Sequence, residues 1–381
     1  MPISTLRMAI RNVTTQWFLI PQGTGILSVI LHQLDYQFDG LQTISIIFWF
    51  ICIVTLCLFL LLYLTRLIFY PKEAFHAIAT NTIEAACLSS ISISFTSIIQ
   101  MLSLVVIQNW GGHGWTTAVY VLWWINMGMA VAASFCIPIL FIRSTTVQGG
   151  FEQAFTPAAQ LPLIAALTSA AGAGTLCQSA LLSNRQEVPM IIVGYLEIGV
   201  GIPMALALDT LFWGRHFLPR QSPDLNLPRD FAMQGLGKAI LQGAFANYRN
   251  QMGVLWTSAA ATTIGYGSIF FGLLSWATSL FWWFFATAGI VHALLSRAEG
   301  PGLPFSLSTW TIVFPWGVYT NAAVELGKLL DAHVFRVWST ILAVTLVVFW
   351  LTLTALTLKG ILQGHLLGLD HGWKIRRAPH G

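Results

Sequence analysis

Residues 44–64 read ISIIFWFICIVTLCLFLLLYL, without a charge, a glycine or a proline. About 20 apolar residues of helix cross a bilayer core. Inside lipid the backbone must satisfy its own hydrogen bonds, so such a run is expected as a membrane-spanning helix. Nine further segments are apolar enough to count as spans, with glycine, proline or an ionisable residue in them. The ten lie near 16–33, 42–66, 79–107, 116–142, 153–182, 189–214, 230–247, 262–295, 305–330 and 335–362. The seventh is short, Gly-rich and interrupted by Lys238.

With 56% hydrophobic and 8% charged residues, the chain reads as an all-α integral membrane protein. Nothing resembles a separate soluble domain. A single transmembrane domain over 1–381 is expected, with short tails at about 1–15 and 363–381. The sixteen Trp suit interfacial belts, although many must sit inside the bundle. The net charge of +4 is too small and scattered for a nucleic-acid partner. Cys52, Cys57, Cys87, Cys136 and Cys177 all lie in apolar runs without a C-x-x-C, so they read as small buried hydrophobes rather than disulfides or metal ligands. The first apolar segment, preceded by Arg7 and Arg11, is expected to serve as its own insertion signal.

Charge fixes an orientation. Thirteen of the eighteen basic residues fall on the tails and the even-numbered connections, and five on the other side or within spans. Short basic loops stay cytoplasmic, so both termini are expected there.

The odd-numbered spans recur at roughly 75-residue spacing, as in five helical hairpins. Ten spans in this length would average such spacings anyway, so content weighs more. The first span holds Pro21, Gly23, Thr24 and Gly25. The third is Ser-rich from Ser89 to Ser103. The fifth holds Pro157, Pro162, Thr168, Ser169, Gly172 and Gly174. The seventh holds Gln234, Gly235, Gly237 and Lys238, and the ninth Pro315, Gly317 and Asn321. Broken, hydroxyl-rich helices suit an inner ring, and smooth apolar ones such as the second and tenth suit a lipid-facing ring. The fourth, sixth and eighth spans carry Gly and Pro as well, and small residues also serve ordinary helix packing. In 305–331, Pro315 and Gly317 interrupt the span near its middle, and helical spacing puts Thr311, Phe314, Val318, Asn321 and Glu325 on one face. That face suits a narrow path; a kinked helix packed on its neighbours is the alternative.

Three stretches resemble a known family. Gln22-Gly23-Thr24-Gly25-Ile26 with Leu31-His32-Gln33-Leu34-Asp35-Tyr36 is similar to the M-G-T-G-I…L-H-x-x-P-Y start of fungal sulfite efflux pumps. Thr156-Pro157-Ala158-Ala159 and Phe314-Pro315-Trp316-Gly317-Val318-Tyr319-Thr320-Asn321-Ala322 are similar to the same proteins. These pumps belong to the tellurite-resistance/dicarboxylate transporter family, with malate permeases and plant slow anion channels. The resemblance covers nearly the whole chain. It implies ten helices as five hairpins in pseudo-fivefold array around a central pore, a phenylalanine gate that maps to Phe314, a trimer and a plasma-membrane location. Gln22 and Asp35 replace the family's Met and Pro, and Gly235-Leu236-Gly237-Lys238 stands where the pumps have P-L-G-Q.

Ionisable residues inside spans are costly and each marks a candidate site. Glu84, Glu197, Asp209, Lys238, His292, Glu325 and Lys328 qualify. Glu325 and Lys328 are spaced to pair, Asp209 lies near Arg215, Glu84 near an interface, and Glu197 deeper. No H-x-x-x-H, H-E-x-x-H or G-x-S-x-G motif supports an enzyme, a metal or a cofactor. The expected anion path is lined by Gly23, Thr24, Gly25, Thr168, Ser169, Gln234, Gly237, Lys238 and Asn321 and gated by Phe314. Its donors are hydroxyls, amides, helix N-termini and one lysine. No inner-ring Arg is available to fork a dicarboxylate. Sulfite or bisulfite is therefore expected as the exported anion, with malate transport or channel conduction as the alternatives.

Overall fold

The computed structural model describes residues 5–147, 157–217, 258–296 and 305–369, which form helices joined by short connections. Nine helices carry the described fold: α1 Leu19–Gln33, α2 Leu41–Phe69, α3 Thr82–Trp110, α4 His113–Val147, α5 Leu161–Ser179, α6 Asn184–Phe217, α7 Ser258–Ser296, α8 Val313–Leu329 and α9 His333–Gln363. Seven of them are long and apolar enough to cross a membrane; α1 and α8 are shorter. The expected span at 230–247, with Gln234, Gly237 and Lys238, lies outside the described residues.

The short helices share one construction. A 3-10 segment leads into each of α1, α5 and α8: Thr15–Phe18, Pro157–Gln160 and Leu307–Ile312. Pro21, Pro162 and Pro315 then fall in the first turn of the α-helix. There the backbone N–H has no intrahelical partner to lose, so proline is tolerated and its fixed φ favours the start. This corrects the expectation of a break at Pro315 in mid-span, because α8 begins at Val313 and Pro315 belongs to its opening turn. The remaining inner helix, α3, begins differently. Asn81 caps it by accepting from the Ile83 and Glu84 N–H groups, and near its far end Leu102–Ile107 widens into a π-helix.

Burial sorts the helices into two layers. In α5, 94% of the most apolar stretch is buried in the protein, and in α3 67%; in α2, α4, α6, α7 and α9 the share is 22–33%. Nearly every residue of α1 and α8 is buried too. The interior helices follow one another in space as α8, α1, α3 and α5, with α2, α4, α6, α7 and α9 outside them. The Gly- and Pro-bearing fourth, sixth and eighth spans (α4, α6 and α7) thus belong with the outer layer.

Glycines set the spacing of the interior helices. A Cβ on Gly23 would stand 2.8 Å from Val313, one on Gly25 2.7 Å from Ser97, and one on Gly172 2.8 Å from Thr96. Without a driving force between apolar helices in lipid, such close approach supplies much of the packing energy. Several Trp are tied into the bundle rather than its rim: Trp310 Nε1 donates to Thr357, Trp316 to the Leu342 carbonyl and Trp123 to the Ser169 carbonyl. Cys52, Cys87 and Cys177 are buried as expected, whereas Cys57 and Cys136 are exposed on the outer layer.

Candidate functional site

Each interior helix spends part of its circumference on neighbours, and what remains points inward. On α8, Val313 and Gly317 meet α1, Trp316 reaches α9, and Tyr319 stacks on Trp276 of α7. The arc left over holds Phe314, Val318, Asn321 and Glu325, all buried. On α1, Gly23, Ile26 and Ile30 meet α8, and Gly25 meets α3. Gln22 lies between those two contacts, is 1% exposed, and its Oε1 has no hydrogen-bond partner. On α3, Thr96, Gln100 and Ser103 bind α5 side, through Gly172, Thr175 and Ser179. Ser92 and Thr96 hold Asn126 of α4. Ser89 continues the stripe of Thr96 and Ser103, on the α5 side, and Ser90 that of Ser97, on the α1 side; neither hydroxyl oxygen has a partner.

Gln22 and Phe314 lie near one level, because Gly23 meets Val313 and Gly317 meets Ile26. Ser89 and Ser90 lie nearer the start of α3, because Thr15 meets Glu84 and Gly25 meets Ser97, which brings Gln22 level with about Ser94. Asn321, two turns beyond Phe314, leaves its Oδ1 unpartnered as well. Buried polar groups are nearly always hydrogen-bonded, so a set of unpartnered ones on facing helices calls for a ligand or water between them. Gln22 and Asn321 amides and the serine hydroxyls can all donate to an anion.

The other expected path residues are placed as follows. Gly23 and Gly25 hold the helix contacts described above. Thr24 turns to α9, donating to the Ile20 carbonyl at 2.7 Å and accepting from Trp350 Nε1 at 2.9 Å. Thr168 faces the α3 side of α5 and donates back to the Ile164 and Ala165 carbonyls. Ser169 lies on the side of α5 that meets α4 and α6. Thr311, in the 3-10 lead-in, donates to the Ser308 carbonyl.

The charges inside the spans find specific surroundings. Glu84 forms a buried pair with Arg66 at 2.7 Å and accepts the Thr15 N–H at 3.2 Å, while Thr15 Oγ1 donates to the Glu84 carbonyl. This joins α2, α3 and the lead-in of α1 at one end of the bundle. Gln160 Nε2 donates to Asp209 at 2.8 Å. Lys328 comes within 3.9 Å of Glu325, as their spacing predicts. Sequence reasoning did not single out Gln22 or the Arg66–Glu84 pair. The signal for Gln22 was an amide at the register of Phe314, one residue before the Gly-Thr-Gly run.

Two layers of helices, with the polar ones inside, define a multi-pass membrane protein, and its family match places it with transporters and channels rather than enzymes. Residues 12–358 match the family described as voltage-dependent anion channel, SLAC1, and the chain belongs to that family of anion transporters. It is 26% identical over 360 residues to the sulfite efflux pump SSU1 of Arthroderma otae, covering 92% of this chain and 91% of that one. It is 24% identical over 372 residues to the malic acid transport protein of Schizosaccharomyces pombe, covering 96% and 82%. An uncharacterized transporter of Methanocaldococcus jannaschii matches at 22% over 362 residues, 94% and 97% of the two chains.

Proposed function

We propose that this protein exports sulfite or bisulfite across the plasma membrane, along a path between α1, α3, α5, α8 and the 230–247 segment. In this reading ten helices form five hairpins in pseudo-fivefold array within a single transmembrane domain. Both termini are cytoplasmic, following the thirteen-to-five basic asymmetry, and the copies assemble as trimers, as the family resemblance implies. The observation that carries the reading is buried Phe314 on the same arc of α8 as Asn321 and at the level of Gln22 on the adjoining α1, with the amide oxygens of Gln22 and Asn321 lacking a partner in the protein. Phe314 blocks the path until its ring turns. The polar set then supplies hydrogen-bond donors to an anion without a strong trap, as conduction requires. Asn321, Gln234 and Lys238 extend the donor set along the path, Thr168 and Gly237 complete its lining, Gly23 and Gly25 keep the helices close, and Thr24 and Ser169 brace the lining helices from behind.

The substrate follows from the donors. Among the described residues of α1, α3, α5 and α8 there is no arginine to fork a carboxylate. A compact singly charged oxyanion fits best, in keeping with the likeness to sulfite efflux pumps. Transport of a C4 dicarboxylate is the second reading, supported by the likeness to a malic acid transport protein. Expression in a sulfite-sensitive fungal strain, beside a malate-uptake assay, separates them. Sulfite tolerance without malate uptake is expected; malate uptake without tolerance reverses the assignment.

A further inference from the structure

Near the middle of α6, Glu197 is 3% exposed and neither carboxyl oxygen has a hydrogen-bond partner. One turn on, Gly201 lies so near α5 that a Cβ there would stand 2.6 Å from Leu167, so the two helices are shut tight beside the acid. The polar neighbour that acts on the carboxyl is Ser169 of α5, whose own Oγ completes no hydrogen bond.

No countercharge faces it among the described residues. The segments α5, Pro157–Gln160 and α4 from Gly114 to Ile142 contain no Asp, Glu, Lys, Arg or His, and the nearest ionisable group on α5 is the Cys177 thiol. On α6 itself Glu187 and Asp209 lie about three turns away to either side, and Asp209 accepts from Gln160. Helix α7, which approaches α6 at Tyr195 and Ser268, holds no Asp, Glu, Lys or Arg; its titratable groups are Tyr266 and His292. A bare carboxylate in such a place would forgo both water and a partner, at a cost no packing here offsets. A metal ion is a poor match, because one carboxylate and one hydroxyl fall far short of the six or more oxygens a hard cation takes.

We propose that Glu197 is a proton-binding site in the membrane interior, which takes up and releases a proton as α5 and α6 part and close during anion transport. In the closed arrangement the acid is neutral and keeps its proton, beside the Ser169 hydroxyl. When the helices part, water enters, the O–H bond ionises, and the proton passes to that water. Thr168 precedes Ser169 on α5, so the separation moves a helix that lines the path. The proton site stands on the geometry of α5 and α6 alone; its link to anion flux rests on the transport reading above.

Two measurements on the purified full chain test this. In infrared spectra at neutral pH, wild type should show a protonated-carboxyl band that Glu197→Gln removes, with thermal stability unchanged because the amide mimics the neutral acid. A band that survives Glu197→Gln, or a destabilised variant, overturns the proton site whatever the protein transports. In liposomes, with nitrate as an anion that does not itself titrate, the ratio of flux with and without a pH gradient should fall to unity in Glu197→Gln and be partly kept in Glu197→Asp. A nitrate flux whose pH response survives Glu197→Gln overturns the link to transport.

Discussion

Arg66 and Glu84 sit 18 residues apart in sequence, on two spans that meet at one end of the bundle. Both are nearly fully buried, so their worth lies in being paired. Glu84→Gln leaves a buried guanidinium without its counterion, which costs about 3–5 kcal/mol. A marked drop in the melting temperature of the detergent-solubilised protein is expected, with partial recovery when Arg66→Met is added. An unchanged melting temperature in Glu84→Gln would show that the pair is dispensable. The pair was not legible in the sequence, because each member reads alone as an interfacial charge and only the fold brings them together. Phe314 and Asn321 were legible as one face, since helical spacing alone decides that. Thr24 and Ser169 were not: a hydroxyl count places them on inner helices but does not say which arc of the helix they occupy, and Thr24 is taken up by Trp350 while Ser169 faces α6.

At the scale of elements, proline and glycine do different work from what their presence in a span suggests. Pro21, Pro162 and Pro315 start helices, whereas Pro138, Pro189 and Pro203 lie inside long outer ones. Interior glycines are contact points. Gly25→Ala would press a methyl within 2.7 Å of Ser97 and 3.1 Å of Cys52, costing roughly 1–3 kcal/mol if the helices must shift. Gly128 in α4 has nothing within 4 Å of its added Cβ, so Gly128→Ala should raise stability by up to about 1 kcal/mol through helix propensity. Thermal unfolding of the two variants side by side checks this. Equal effects would mean that helix spacing is not set by the glycines. Element positions were readable because each span is a long apolar run; the helix starts were not, because a proline in a hydrophobic run looks the same whether it opens a helix or bends one.

For the whole molecule, the division into inner and outer helices follows from what lipid tolerates. Hydroxyls, amides and 3-10 turns are withdrawn from it, and smooth apolar helices are left to face it. Alternation of those two compositions along the chain made the layering legible for the first, third, fifth and ninth spans. The shared level of Gln22 and Phe314 was not legible, because it follows from the contact of Gly23 with Val313 rather than from either span alone. In the proposed reading Phe314 closes the anion path at that level. Anion flux through Phe314→Ala in liposomes, beside wild type, tests it most directly. A well-folded variant that conducts several-fold faster is the predicted result. Well-folded Phe314→Ala with wild-type flux would contradict the account and leave Phe314 as core packing, whose truncation costs about 3–5 kcal/mol and nothing else.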